Sequence, residues 1–223
     1  KISSLFSLEV SSRIVTILCA TITGFFLYLI GKKLMGKWGG LLAAFFYLFI
    51  PFNIYFTRVI LPDPMGVMFG MIGIWAFMEF IEKEKTVYFG ISSVFFAMML
   101  LMKPYLGFYL FPVFYLTARK YVTKKLFKNK KLVKHAIVFF AIAVIPFLAW
   151  RMWEAKFPEG IPFYKWAFNG NHIRFKPSWW YWIFGERIGH IILGSLGLIP
   201  LVFGILHSKN KNILKRLLAN NMC

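Results

Sequence analysis

Long apolar runs, broken by short clusters of lysine and arginine, leave few folds open to this chain. Seven such runs can be traced, at 13–32, 37–58, 64–81, 86–102, 104–118, 136–153 and 188–206. A helix that crosses a bilayer needs about 20 predominantly apolar residues, with a range of roughly 17–25. The first, second, fourth and seventh runs meet that requirement. The third carries Glu79 and the sixth Arg151, each near an end from which a long side chain can snorkel to the interface. The fifth is short and interrupted by proline. Backbone groups in lipid must be paired within the segment, so the runs are helices and not strands. The expectation is an all-α, polytopic transmembrane helical bundle of about seven membrane helices, with residues 1–223 belonging to one transmembrane domain.

The spacing of the charges carries the next step. Lys and Arg number 27 against 8 Asp and Glu, a formal net charge of +19. On a soluble domain such an excess would point to nucleic acid. Here it is divided among the linkers between apolar runs, the pattern of a multi-pass membrane protein, so nucleic acid is not an expected partner. The basic residues follow alternate runs: Lys32, Lys33 and Lys37, then Lys83 and Lys85, then eight between Arg119 and Lys134, then Lys209 to Arg216. The positive-inside rule places these linkers in the cytoplasm. The opposite face receives the 58–63 loop, the Lys103-Pro104 turn and the long segment 153–187, where a short interfacial helix is expected. Function is sought on that outer face. Cys19 and Cys223 form neither a disulfide framework nor a metal pattern. Lys1 opens the chain with no cleavage pattern, and both ends read as cuts in something longer.

The stretch Phe56-Thr57-Arg58-Val59-Ile60-Leu61-Pro62-Asp63-Pro64 puts one cation and one carboxylate between two apolar runs. Proline disfavours the helical region for the residue before it and is well suited to the first helical position. Asp63 is therefore predicted at an N-cap. Capping, typically worth about 1 kcal/mol, is one role for it; the other is a polar reaction site at the membrane surface shared with Arg58. In the outer segment Asn169-Gly170 signals a turn, and Ser178 is a cap for a short helix. Trp179, Trp180 and Trp182 are either interfacial anchors or an aromatic platform under a sugar or lipid chain. His172 is a turn residue beside Asn171 or part of a site, without a partner at metal-ligand spacing. No Gly-rich phosphate loop, CxxC pair or HExxH motif occurs.

Arg58-Val59-Ile60-Leu61-Pro62-Asp63, followed by an apolar helix, a charged linker and then Leu100-Leu101-Met102-Lys103-Pro104, resembles a known family. The chain looks like the dolichyl-phosphate-mannose–protein mannosyltransferase superfamily, prokaryotic branch, over about residues 5–206. The outer segments 157–162 and 168–175 look like the outer loop of prokaryotic members. The resemblance implies the C-type glycosyltransferase fold in a multi-pass plasma (inner) membrane protein with its active site outside. It implies transfer of a sugar from a polyprenyl-phosphate carrier to a protein, lipid or glycan acceptor, with inversion. Such chemistry needs a carboxylate as base or metal holder and cations for the leaving phosphate. By resemblance Asp63 is the catalytic residue and a candidate holder of a divalent metal, Mg or Mn. Arg58, Lys103 and Arg174 are donor-phosphate contacts, and Asn171, His172, Trp179 and Trp180 are substrate contacts of the outer loop. The family carries its main acidic residue in a first outer loop that would precede Lys1, so the chain is expected to be a fragment without it.

A polytopic transporter or flippase for a lipid-linked substrate is the competing expectation. It would show broken helices or buried ionisable groups near the midplane. The charge inside a run, Glu79, lies near the cytoplasmic end of its helix, which favours the enzyme.

Overall fold

The structure is a computed structural model that describes residues 8–122, 130–157, 172–194, 199, 202 and 203. Those residues are helical or turns, with no strand among them. Element α1 is Leu8–Phe49, α2 Pro51–Arg58, α3 Asp63–Lys83 and α4 Thr86–Met102. A 3-10 stretch, Pro104–Leu110, leads into α5, Phe111–Val122, and α6 is Lys130–Glu154. A second 3-10 turn, Ile173–Phe175, precedes α7, Pro177–Tyr181, which runs into a π-helical segment, Trp182–Ile192. Among the described residues, Leu8–Phe49, Asp63–Lys83 and Lys134–Glu154 are long and apolar enough to cross a membrane, and Thr86–Met102 is a shorter apolar helix.

Element α1 has 42 residues, about 63 Å if straight and twice the thickness of a bilayer core. It is not straight. Gly36 adopts φ 82° and ψ −177°, a region essentially reserved for glycine, and the chain doubles back there. A Cβ on Gly31 would come within 2.8 Å of the Gly40 Cα, and one on Gly24 within 3.2 Å of Leu48. Near the open end Thr16 Oγ1 donates to the Thr57 carbonyl at 2.8 Å. The first two apolar runs are thus two antiparallel passes, and Pro51 splits the second by opening α2.

The core lies where α3 packs on α4 and α4 on α6. Gly66, Gly70 and Gly73 line one stripe of α3 and let its neighbours approach closely. Added Cβ atoms would come 2.4 Å from Leu106, 3.0 Å from the Met99 sulfur and 2.9 Å from Phe96. Ser92 Oγ donates to the Gly73 carbonyl at 2.9 Å, closing the crossing. Phe77, Phe89, Phe96 and Phe139 fill the centre.

The bundle has two chemically distinct ends. At one, Lys33 beside the Gly36 turn pairs with Glu79 and, at 2.6 Å, with Glu82, while Lys83 pairs with Glu79 at 2.6 Å. Glu79 is therefore buried, 5% exposed, rather than snorkelling; two ammonium groups compensate it in place. It lies one turn from the end of α3, away from the midplane. At the other end are Arg58, Asp63, Lys103 and the close of α6, where Arg151 pairs with Glu154. The fifth run differs from a plain helix, because Pro104 forces a 3-10 start before α5. Of the seventh run, only the beginning and a few later positions fall within the described residues.

Candidate functional site

Pro104 ends α4 at Met102, since the residue before a proline is pushed out of the helical region. Lys103 accordingly takes φ −153° and ψ 116°. The 3-10 turn that follows lays Leu106 against Gly66 of α3. This returns the chain across the N-terminus of α3, where Asp63 is. Lys103 Nζ donates to Asp63 Oδ2 at 2.6 Å, and the Tyr105 hydroxyl donates to Asp63 Oδ1. Lys103 also lies over the Tyr105 ring, 5.4 Å from its centroid. Two segments 40 residues apart in sequence are thereby joined through one carboxylate.

Asp63 is the first residue of α3, not its cap. Pro62 holds the N-cap position with no side-chain cap bond, and its carbonyl accepts from the Gly66 amide at 3.1 Å. The bias against a helical residue before Pro64 is a preference, and here the bonds to Lys103 and Tyr105 override it. A carboxylate in the first turn is also favoured by the helix dipole. Both side chains of the ion pair are about 30% exposed, at 28% for Lys103 and 30% for Asp63. The group is anchored in protein yet open to a ligand. Burial alone would lower the Lys103 ammonium, but the Asp63 carboxylate and Tyr105 outweigh it and hold it above the usual lysine range.

Arg58 closes α2 and is exposed; no ion pair joins it to Asp63 among the described residues. Arg174 and Trp179 do come together. With Ile173, Ser178, Trp182 and Ile183 they line a cavity of about 500 Å³. Trp180 stays out of that lining. Its indole donates to the Arg174 carbonyl at 3.0 Å and its ring stacks on Phe184 at 5.8 Å, so it props the wall. His172 adopts φ 56° as the residue before the 3-10 turn and stacks on Phe175 at 6.1 Å, which fits its reading as a turn residue. Asn171 lies outside the described residues. Pro177 at N1 and Lys176 at the N-cap start α7, so Ser178 is inside that helix rather than its cap. The π-helical segment packs against α2, which puts the aromatic cavity at the same end of the bundle as Asp63.

The sequence missed Tyr105. Its signal was slight: a tyrosine one residue past the Lys-Pro turn, where a 3-10 start turns it onto the face of Lys103. Among the described residues no group of three or more potential metal ligands forms. Among those residues Asp63, tied to an ammonium, is a single carboxylate, short of the several oxygen ligands a divalent cation takes.

Residues 3–150 match the family model described as dolichyl-phosphate-mannose-protein mannosyltransferase. The match includes Arg58, Asp63, Lys103 and Tyr105 and stops before the aromatic cavity. No curated protein and no solved structure matches the chain.

Proposed function

The chain belongs to the dolichyl-phosphate-mannose-protein mannosyltransferase family, a family of membrane glycosyltransferases, and from that premise we propose that Asp63, Lys103 and Tyr105 form its donor site. The donor is a sugar on a polyprenyl phosphate, and the acceptor is a hydroxyl of a protein, lipid or glycan on the non-cytoplasmic face. The observation that supports this is the Lys103–Asp63 pair at 2.6 Å, which unites the two short motifs of the matched region. An ammonium that already holds one carboxylate oxygen is suited to exchange it for a phosphate oxygen.

The donor phosphate takes Lys103, and Asp63 is left with the Tyr105 hydroxyl. The acceptor hydroxyl then attacks the anomeric carbon in line. Its proton passes to Asp63, the new carbon–oxygen bond forms, and the bond to the phosphate oxygen breaks with its electron pair on the leaving phosphate. One displacement inverts the anomeric centre. Arg58, exposed at the same end, reaches toward the phosphate, and Arg174 with Trp179 offers a wall for the sugar or acceptor. No step is routed through a metal.

The test is donor binding. In the native protein Lys103→Ala removes a charge-assisted contact of about 1.5–3 kcal/mol, a loss of roughly tenfold to a hundredfold in affinity. Unchanged affinity for a polyprenyl-phosphate sugar would make Lys103 a structural partner of Asp63 and overturn the assignment.

A further inference from the structure

The aromatic cavity, about 500 Å³, is within the range of about 300–1,000 Å³ in which small ligands are held, and it has the make-up of such sites, apolar walls with a few polar groups among them. Its lining contributes two indoles, Trp179 and Trp182, one hydroxyl, Ser178, and one guanidinium, Arg174. Trp179 is partly buried and meets Trp180 edge to face at 4.9 Å. Trp180 in turn is tied to the Arg174 carbonyl and stacked on Phe184. The aromatic wall is therefore braced from behind. It lies beyond residues 3–150 of the family match, where substrate choice rather than shared chemistry is to be sought.

Charge narrows the ligand. Residues 172–194 carry Arg174, Lys176 and Arg187 against one carboxylate, Glu186. Arg187 lies over the Trp182 ring, 4.4 Å from its centroid, so a second guanidinium adjoins the lining. The faces of indoles are negative and suit the slightly positive C–H groups of a sugar ring. A guanidinium suits a carboxylate through its two-pronged set of donors, and a serine hydroxyl both donates to and accepts from ring hydroxyls. A lipid chain would leave Arg174 and Ser178 facing hydrocarbon, and a bare anion would make no use of the indoles. A sugar ring bearing a carboxylate matches all four side chains. Resting on the glycosyltransferase reading of the Asp63 site at the same end of the bundle, we propose that this cavity is an acceptor subsite for an acidic sugar ring, a uronic acid unit of a glycan. The ring lies against Trp179 and Trp182 with its carboxylate on Arg174. The subsite selects and holds the acceptor; no bond forms or breaks there.

The native protein in phosphatidylcholine nanodiscs, without donor, tests this with glucuronate, glucose and inorganic phosphate as probes. Binding is read by saturation-transfer NMR titration. Glucuronate is expected to bind severalfold tighter than glucose, and phosphate at equal concentration to displace little of it. Arg174→Gln is expected to lower glucuronate to the affinity of glucose while leaving glucose binding in place. Trp179→Ala is expected to weaken both sugars severalfold. Arg174 is exposed and braces Trp180 through its backbone carbonyl, so Arg174→Gln decides the matter if Trp179→Ala melts early. Saturating dolichyl-phosphate mannose is expected to leave glucuronate bound; its displacement would assign the cavity to the donor. That outcome, equal affinity for glucuronate and glucose, full displacement by phosphate, or an undiminished preference in Arg174→Gln would each overturn the proposal. The sugar titrations contain no donor, so they stand apart from the Lys103→Ala measurement: a failed donor assignment with selective glucuronate binding would move the donor and keep the subsite.

Discussion

Asp63 holds Lys103 with one carboxylate oxygen and the Tyr105 hydroxyl with the other, and its neighbours make its replacement informative. Asn at this position keeps the shape and one acceptor oxygen but neither the charge nor the capacity to take a proton. Asp63→Asn is expected to insert normally and to melt lower only by about what Lys103→Met loses, since both remove the same pair, while losing at least about a hundredfold in turnover, the range for a general base. Turnover with saturating lipid-linked sugar, beside melting in detergent, checks this; near-normal turnover would leave Asp63 as the anchor of the Pro104 turn. Tyr105→Phe removes a single donor to a charged group, and about tenfold is expected. Lys103 contributes a pH signature of known sign. Its raised pKa means that, while Asp63 is ionised, the pair's stability is in full below the ordinary lysine value, about 10.4, and is lost as pH rises through the higher folded value. The melting difference between native protein and Lys103→Met is therefore expected to stay level from neutral to mildly alkaline pH and to shrink only at strongly alkaline pH.

Among the elements, α3 sets the positions of the rest, because its glycine stripe fixes how near α4 and the Pro104–Leu110 turn come. Gly73→Ala puts a Cβ 2.9 Å from Phe96, which is fully buried and has nowhere to move. A cost of about 1–3 kcal/mol is expected from such overpacking. Gly90 on α4 has nothing within 4 Å of an added Cβ, so Gly90→Ala is expected to be neutral or stabilising by up to about 1 kcal/mol. Detergent melting of the two variants separates close packing from helix propensity; equal shifts would contradict the crossing. The glycines were visible in the sequence as letters but not as a stripe, since no partner could be assigned to them before α4 was placed. Gly36 is similar. The break between the first two runs and the reversal it implies were legible from Lys32, Lys33 and Lys37, but that Gly36 makes the turn was not, since it depends on a backbone conformation that composition does not encode. Pro104 was legible as an interruption, and what it does, turning Lys103 onto Asp63, required the position of α3.

For the whole molecule, the alternation of basic linkers and apolar runs was enough to foresee an all-α bundle with Asp63 and Lys103 at one end. Both were expected on a single face because two passes separate them from each other and one pass separates each from the nearest basic turn. The pairing itself, the Tyr105 contact and the burial of Glu79 were not legible, because each depends on side chains 40 or more residues apart meeting at distances only packing decides. Sidedness is the remaining step, and the fold sharpens its test. Lys37 follows the Gly36 turn and lies at the end with Glu79 and Lys83, whereas Lys176 opens α7, beside the aromatic cavity. In a Cys223→Ser background, Lys37→Cys and Lys176→Cys report the two ends separately, since Cys19 is buried. In right-side-out vesicles a membrane-impermeant thiol reagent is expected to reach position 176 at once and position 37 only after permeabilisation. Reaction of both from one side would mean that the 42-residue α1 does not lie across the bilayer as a hairpin. The Asp63 site would then lose its claim to the outer face, whatever its chemistry.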